Sequence, residues 1–502
     1  MRWQDKLIER FQDKIIPKRM MSNLVRRALP RFVTEYLLAR YVDRGEEEAV
    51  RLVNRIIAEY YPESREAERV LYELSREGQK RLISYYTARF DTRLNIPLVT
   101  IRLWAKEDAR ILPKLLNDYP ALLEGGVWGI ADIVYDPSAT VEGRKLPLLI
   151  VEFRPFQIAR IDVEDFKEGR EEFTTEEWLS VLMSTIGFNP HRFTREQTLY
   201  ILTRFIPLVE SNSNLMELGP RGTGKTFGLR NISPYSFVIS GGKTTSAQLF
   251  INLRSMEVGL LARKDVVVFD EIAAAKFEKR DDVLGKLKDY MASGVFTRGR
   301  EEIPSECGIM LLGNIDHGTE EDEKDELRDD DLIPGEGNIE EIDEETERIG
   351  GRHLFQALPE SLWDTAFFDR LHGFIPGWRI PKIRQDFFSN SVGFVADYFA
   401  EVLHRLRRDD YTHEIKRRVE VYGEGGDVSI RDEEAIAHIT SGLIKLLYPH
   451  GKFTDEELAE LLNLACELRT RVTREQHYIE RTLGGKTQEF PLRKICWRWR
   501  KP

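Results

Sequence analysis

The chain has 502 residues, 41% of them hydrophobic and 32% charged, with a formal net charge of −11. That is enough apolar material for buried cores in about three domains, and it excludes a chain disordered throughout. No apolar run approaches the roughly 18 residues of a membrane span. Arg2, Asp5, Lys6, Glu9 and Arg10 interrupt the N-terminus where a signal peptide needs an apolar stretch, so a cytoplasmic protein with no membrane partner is expected. Cys307, Cys466 and Cys496 form no C-x-x-C pair, and H-E-x-x-H is absent, so neither a disulfide framework nor a structural zinc site is supported.

The charge is unevenly spread. Glu320 to Glu347 holds sixteen acids against two bases, a local −14, so the remainder of the chain carries +3. Met1 to Arg31 and Leu492 to Pro502 are both rich in bases, and a nucleic-acid partner is compatible with this distribution.

In chain order, residues 1–91 read as a helical N-terminal region, because Val50, Val53, Ile57 and Tyr61 recur at spacings of three and four. Residues 92–172 turn to β-branched and aromatic runs separated by turn signals, the pattern of a small β-rich, barrel-like (OB-like) domain with possible DNA binding. Residues 173–210 form a helical linker, with Thr174 or Thr175 as N-cap before Trp178, Leu179, Leu182 and Ile186. Residues 211–385 alternate short apolar strands with helices, which predicts a parallel α/β core carrying the acidic insertion at 320–347. Residues 386–480 place Val395, Phe399, Val402 and Leu406 on one helical face and Leu458, Leu461, Ala465, Leu468 and Val472 on another, which predicts an all-helical lid. A basic tail with two tryptophans, 481–502, is suited either to nucleic acid or to docking on its own protein.

Gly219-Pro-Arg-Gly-Thr-Gly-Lys-Thr226 follows the apolar run Leu215 to Leu218 and fits the phosphate-loop pattern. Gly219, Gly222, Thr223 and Gly224 let backbone N–H groups wrap a triphosphate, Lys225 neutralises the β- and γ-phosphates, and the Thr226 hydroxyl ligates Mg²⁺. Forty-five residues after Lys225, the strand Val266-Val-Val-Phe ends in Asp270-Glu271. Asp270 is placed to hold Mg²⁺ and Glu271 to polarise the attacking water. A third strand, Ile309 to Gly313, ends in Asn314, suited to orienting that water beside the γ-phosphate. These three strands predict an ATP hydrolase with an AAA+ core, using ATP and Mg²⁺.

The stretches Leu215 to Thr226, Ile232-Ser-Pro-Tyr-Ser-Phe-Val-Ile-Ser-Gly-Gly-Lys-Thr-Thr245, Lys288-Asp-Tyr-Met-Ala-Ser-Gly294 and Asp364-Thr-Ala-Phe-Phe-Asp-Arg-Leu-His-Gly-Phe-Ile-Pro-Gly-Trp378 resemble the Lon-related AAA+ family of BREX phage-defence systems, the BrxL family. The similarity runs from about Leu122 to about Leu447. It implies a ring-forming ATPase built like the MCM helicase ring, hexameric or a stack of two hexamers, that encircles or translocates on DNA with other BREX components as possible partners. In such rings an arginine from the neighbouring subunit reaches the γ-phosphate. Arg370 matches that position, with Arg348 and Arg352 as competitors, and Arg431, opening a lid helix, matches a further one. The pore-hairpin candidates for DNA are Arg298 and Arg300, with Lys243 as a second site. Full-length relatives continue into a Lon-like domain, whereas this sequence ends after the helical lid, so no protease activity is expected. The competing reading is a protein-remodelling unfoldase. It lacks an obvious aromatic pore loop, since Phe250 better fits a helix core.

Overall fold

The computed structural model describes residues 2–24, 29–157, 161–241, 243–252, 257–272, 276–277, 280–298, 301–315, 358, 360–424, 427–484 and 494–500. The acidic insertion at 320–347 lies outside the described residues, as do Arg300, Arg348 and Arg352.

A five-stranded sheet organises the body of the molecule. In chain order its strands are Asn214–Gly219, Ser236–Ser240, Val266–Asp270, Gly308–Asn314 and Gly373–Pro376, and across the sheet the order is second, third, fourth, first, fifth. Every neighbouring pair runs parallel. Parallel strands covered on both faces read as continuous apolar runs, and alternate residues here feed opposite cores. Val266, Val268, Met310 and Leu312 enter one, while Val267, Phe269, Ile309 and Leu311 enter the other. The first strand is interior, between the fourth and the fifth, and the loop leaving its carboxyl end opens at the edge where sheets of this kind bind ligands.

A closed barrel precedes the sheet. Its strands are Gln79–Asp91, Ile96–Ile101, Asp108–Ile111, Val127–Tyr135 and Leu148–Pro155, ordered first, second, third, fifth, fourth and back to first. The third and fifth run parallel and the other pairs antiparallel. Tyr86, Val99, Ile101, Ala109, Ala131, Ile133, Ile150 and Phe153 fill the interior.

Two expectations change. The strand Gln79–Asp91 falls inside the segment read as helical to residue 91. The helix Ala67–Glu77 ends at Gly78 in left-handed backbone (φ 79°), and the chain turns extended there, well before the β-rich texture becomes obvious. In the segment 173–210, Thr174 caps the helix Thr175–Ile186 in a capping box with Glu177, and Trp178 at its heart is fully buried, its indole N–H donating to the Leu446 carbonyl at 3.0 Å. The basic N-terminal segment is stitched into the body, with Lys6 on Glu177, Arg10 on Asp165, and Ile15–Pro17 paired to Val392–Phe394.

The second change is at the C-terminal end. The helices Ala396–Leu406, Ile430–Leu447 and Asp455–Gly484 bury the predicted apolar faces, but the region is not all-helical. Val419–Glu424 and Lys494–Trp499 pair as an antiparallel ribbon, with Arg498 on Glu420 at 2.7 Å and the Trp497 indole donating to Asn463 at 2.7 Å. Alternating Ile495, Trp497 and Trp499 suit a strand, whose partner lies some seventy residues back, beyond the reach of helical periodicity. The tail is therefore docked on its own protein.

Candidate nucleotide-binding site

The phosphate loop joins the carboxyl end of the strand Asn214–Gly219 to the helix Lys225–Asn231. Gly222 and Gly224 take left-handed φ values of +90° and +71°, which side chains resist and which turn successive N–H groups into the loop. Lys225 is buried, and its ammonium donates to the carbonyls of Gly219 at 2.8 Å and Pro220 at 2.6 Å. Burial lowers its pKa from the ordinary lysine value. A desolvated cation held by two neutral carbonyls gains when phosphate oxygens replace them, because charge-assisted hydrogen bonds are the stronger ones.

Thr226 Oγ1 donates to Asp270 Oδ1 at 3.0 Å, so the hydroxyl and carboxylate predicted to share Mg²⁺ lie side by side. Among the described residues no group of three His, Cys, Asp or Glu side chains could hold a metal ion. Two hard oxygens beside a phosphate cradle fit Mg²⁺, which takes one or two protein oxygens and completes its shell with phosphates and water. The other oxygen of Asp270 accepts from Ser240 at 3.2 Å and Arg230 at 3.3 Å. Glu271 is exposed in the turn after the strand and holds a left-handed φ of 58°, a backbone state that costs a non-glycine residue about 1–3 kcal/mol and recurs at functional sites. Asn314 ends the neighbouring strand in register with Gly219, and the next amide, Ile315 N–H, donates to the Gly219 carbonyl at 3.2 Å. Gly219, Gly222, Thr223, Gly224, Lys225, Thr226, Asp270, Glu271 and Asn314 thus gather at the carboxyl edge of the sheet.

The two arginines do not. The Asn214 side chain donates to the Arg370 carbonyl at 3.4 Å, at the amino-terminal end of the strand Asn214–Gly219. Five residues of strand separate that level from Gly219, about 16 Å. Arg431 pairs with Asp369, the residue beside Arg370. Asp369 also meets Arg469 at 3.2 Å, and Arg469 reaches Asp432 at 2.8 Å. Arg370 and Arg431 are thus held together at the sheet edge away from their own phosphate loop. The Arg370 Nε is buried with no hydrogen-bond partner among the described residues.

For DNA, Val295–Arg298 and Glu301–Pro304 form the predicted hairpin, with Arg298 opposite Glu301. Its turn, and with it Arg300, lies outside the described residues, as do the side chains of Arg298 and Lys243. Lys243 sits in a two-residue strand paired with Lys276–Phe277. Phe250 is buried against Phe296 at 5.8 Å, a core residue as expected.

Sequence reasoning missed what lies under the loop. Arg204 and Glu217, both buried, form a bidentate pair at 2.7 Å through each nitrogen, and Arg204 also approaches the Thr223 carbonyl at 3.4 Å. Arg204 sits in the helical segment before the strand, where nothing in its local pattern separates a buried arginine from an exposed one. Deleting one member of a buried pair leaves an uncompensated charge, a loss of about 3–5 kcal/mol. Arg204→Ala is therefore expected to lower the unfolding free energy by that amount in a denaturant titration. Arg204→Met combined with Glu217→Leu is expected to recover most of it. A single variant as stable as wild type would contradict the pairing.

The sequence matches the family description "Lon-like protease BrxL-like, ATPase domain" over residues 148–334 and 335–487, and "BREX system Lon protease-like protein BrxL N-terminal" over residues 9–135. The chain belongs to the BrxL family. It is 33% identical over 472 residues to a protein of Escherichia coli O9:H4 (strain HS) named Lon-like protease BrxL, covering 93% of this chain and 63% of that one. It is 34% identical over 473 residues to a protein of the same name from Bacillus cereus (strain H3081.97), covering 93% of this chain and 65% of that one. The chain thus spans just under two thirds of the length of both BrxL relatives. The ATPase-domain match contains the phosphate loop, Asp270, Glu271, Asn314, Arg370 and Arg431, so the site described above falls within the BrxL family's ATPase domain.

Proposed function

We propose that this BrxL-family chain is an ATP-hydrolysing, ring-forming AAA+ motor or clamp that acts on DNA in BREX phage defence, in the cytoplasm. One observation carries the ring: the hydrolytic set is split between the two ends of one sheet. Lys225, Thr226, Asp270, Glu271 and Asn314 stand at one end and Arg370 with Arg431 at the other, a distance no side chain spans, so a second subunit's arginines complete each site. Closed cyclic assemblies arise from such head-to-tail contacts.

In this reading the loop's N–H groups and Lys225 bind the triphosphate, and Thr226 and Asp270 position Mg²⁺, which when bound offsets charge on the β- and γ-phosphates. Glu271 accepts the proton of the attacking water, Asn314 orients that water, and Arg370 from the neighbour stabilises charge on the departing γ-phosphoryl oxygens.

The DNA part is supported by the predicted hairpin between helix Arg280–Ser293 and the Asn314 strand. It is supported also by the barrel, whose strand order is that of OB folds, with Phe90 and Arg93 exposed near the first hairpin. Arg89 and Arg144 on its surface are partly neutralised by a shared Asp108, at 2.8 and 2.7 Å. No helix among the described residues is long and apolar enough to cross a membrane.

The test is the ATPase rate with no DNA, with single-stranded DNA and with duplex, across salt. Stimulation that fades as salt rises is expected, because backbone contacts release counterions. A rate indifferent to DNA but raised by an unfolded polypeptide would replace this reading with the protein-remodelling one.

A further inference from the structure

The phosphate loop accounts for the charged end of a nucleotide only. Next to the loop, the flank of the helix that begins at Lys225 is aromatic. Phe227, the first residue after the loop, has its ring 5.7 Å from Phe188 and 5.8 Å from Phe388, and Phe188 and Phe388 stack 6.4 Å apart at 28°. The Arg31 guanidinium lies 5.8 Å from the Phe227 ring. Phe188 is buried, and a Cβ on Gly224 would come 3.1 Å from its ring. Phe388 is different: 41% of it is exposed.

The segment that carries Phe388 is tied to the loop itself. Ile383 N–H donates to the Gly222 carbonyl at 2.8 Å. Asn189 N–H donates to Phe387 and Ser389 N–H to Gly187, at 2.8 and 2.9 Å, which fixes Phe388 opposite Phe188. An aromatic ring is thus anchored beside a phosphate cradle with a face open to water. Exposing such a ring forgoes the gain of burying it, whereas a heteroaromatic base stacked on it recovers that gain.

We infer that Phe388, backed by Phe188 and Phe227, is the platform on which the base of a purine nucleotide stacks when its phosphates occupy the loop. The inference rests on the nucleotide-binding reading above and adds to it how the base is recognised. The interaction is apolar and π-faced, so it rewards ring area and tolerates variation at the base edge.

The experiment compares ATP with inorganic tripolyphosphate, which has the same anionic end and no base. Calorimetric affinities for both, with Mg²⁺, are measured on wild type, Phe388→Ala and Phe388→Tyr. Loss of one stacking ring is expected to weaken ATP about tenfold, leave tripolyphosphate unchanged, and be reversed by the tyrosine. Equal ATP affinity in wild type and Phe388→Ala would overturn the assignment, as would an equal loss for both ligands, which would mark Phe388 as a structural support of the loop. Wild type that binds neither ligand would instead sink the nucleotide-site reading from which the inference starts.

Discussion

Arg370→Ala and Glu271→Gln, each purified alone, are expected to lose ATP hydrolysis by about 10³-fold, and a mixture of the two to regain it. The first figure follows from the worth of an arginine that meets the transferring γ-phosphoryl group. The second follows from the sheet. Glu271 leaves the carboxyl edge and Arg370 precedes the strand Gly373–Pro376 at the amino edge, so one chain cannot bring the two to one phosphate. In a mixed assembly some interfaces join an intact Glu271 to an intact Arg370, about one in four at equal mixing if subunits enter at random. Steady-state phosphate release across mixing ratios measures this. Arg431→Ala is expected to behave as Arg370→Ala does, since the pairs through Asp369 and Arg469 hold both arginines on one rigid corner.

Lys225→Ala is expected to reduce hydrolysis by about 100-fold or more, comparable to removing one preorganised donor from a site where charge develops. The substitution also removes the ammonium that ties the loop to the Gly219 and Pro220 carbonyls, so ATP affinity should fall with the rate. Both are readable in one set of kinetic and binding measurements. Activity that survives Lys225→Ala would mean that the hydrolysis arises elsewhere.

The grouping of residues at the candidate site was legible in sequence where it depends on order along the chain. Thr226 meeting Asp270 at 3.0 Å is what a phosphate loop and a strand-ending acid imply, and Asn314 in register with Gly219 follows from a parallel sheet. What stayed hidden depends on partners far apart. Phe388 faces Phe188 across two hundred residues, Arg204 pairs with Glu217 inside a core, and Lys494–Trp499 finds its partner strand at Val419–Glu424. Periodicity reports which face of an element is apolar and says nothing of which element will cover it. The barrel's first strand was lost for a related reason: thirteen residues beginning Gln79-Lys-Arg carry polar side chains outward at both ends. The predicted hairpin from Phe296 was found as an element, while the side chains that would define its contacts lie outside the described residues.

If each site is completed across an interface, hydrolysis belongs to the assembled ring and not to the single chain. Particle mass and ATPase rate per subunit, followed together across a protein dilution series with Mg²⁺ and ATP, test it most directly. The rate per subunit is expected to collapse over the same concentration range in which rings dissociate. A dilute monomer hydrolysing ATP at the full rate of the assembled particle would contradict it.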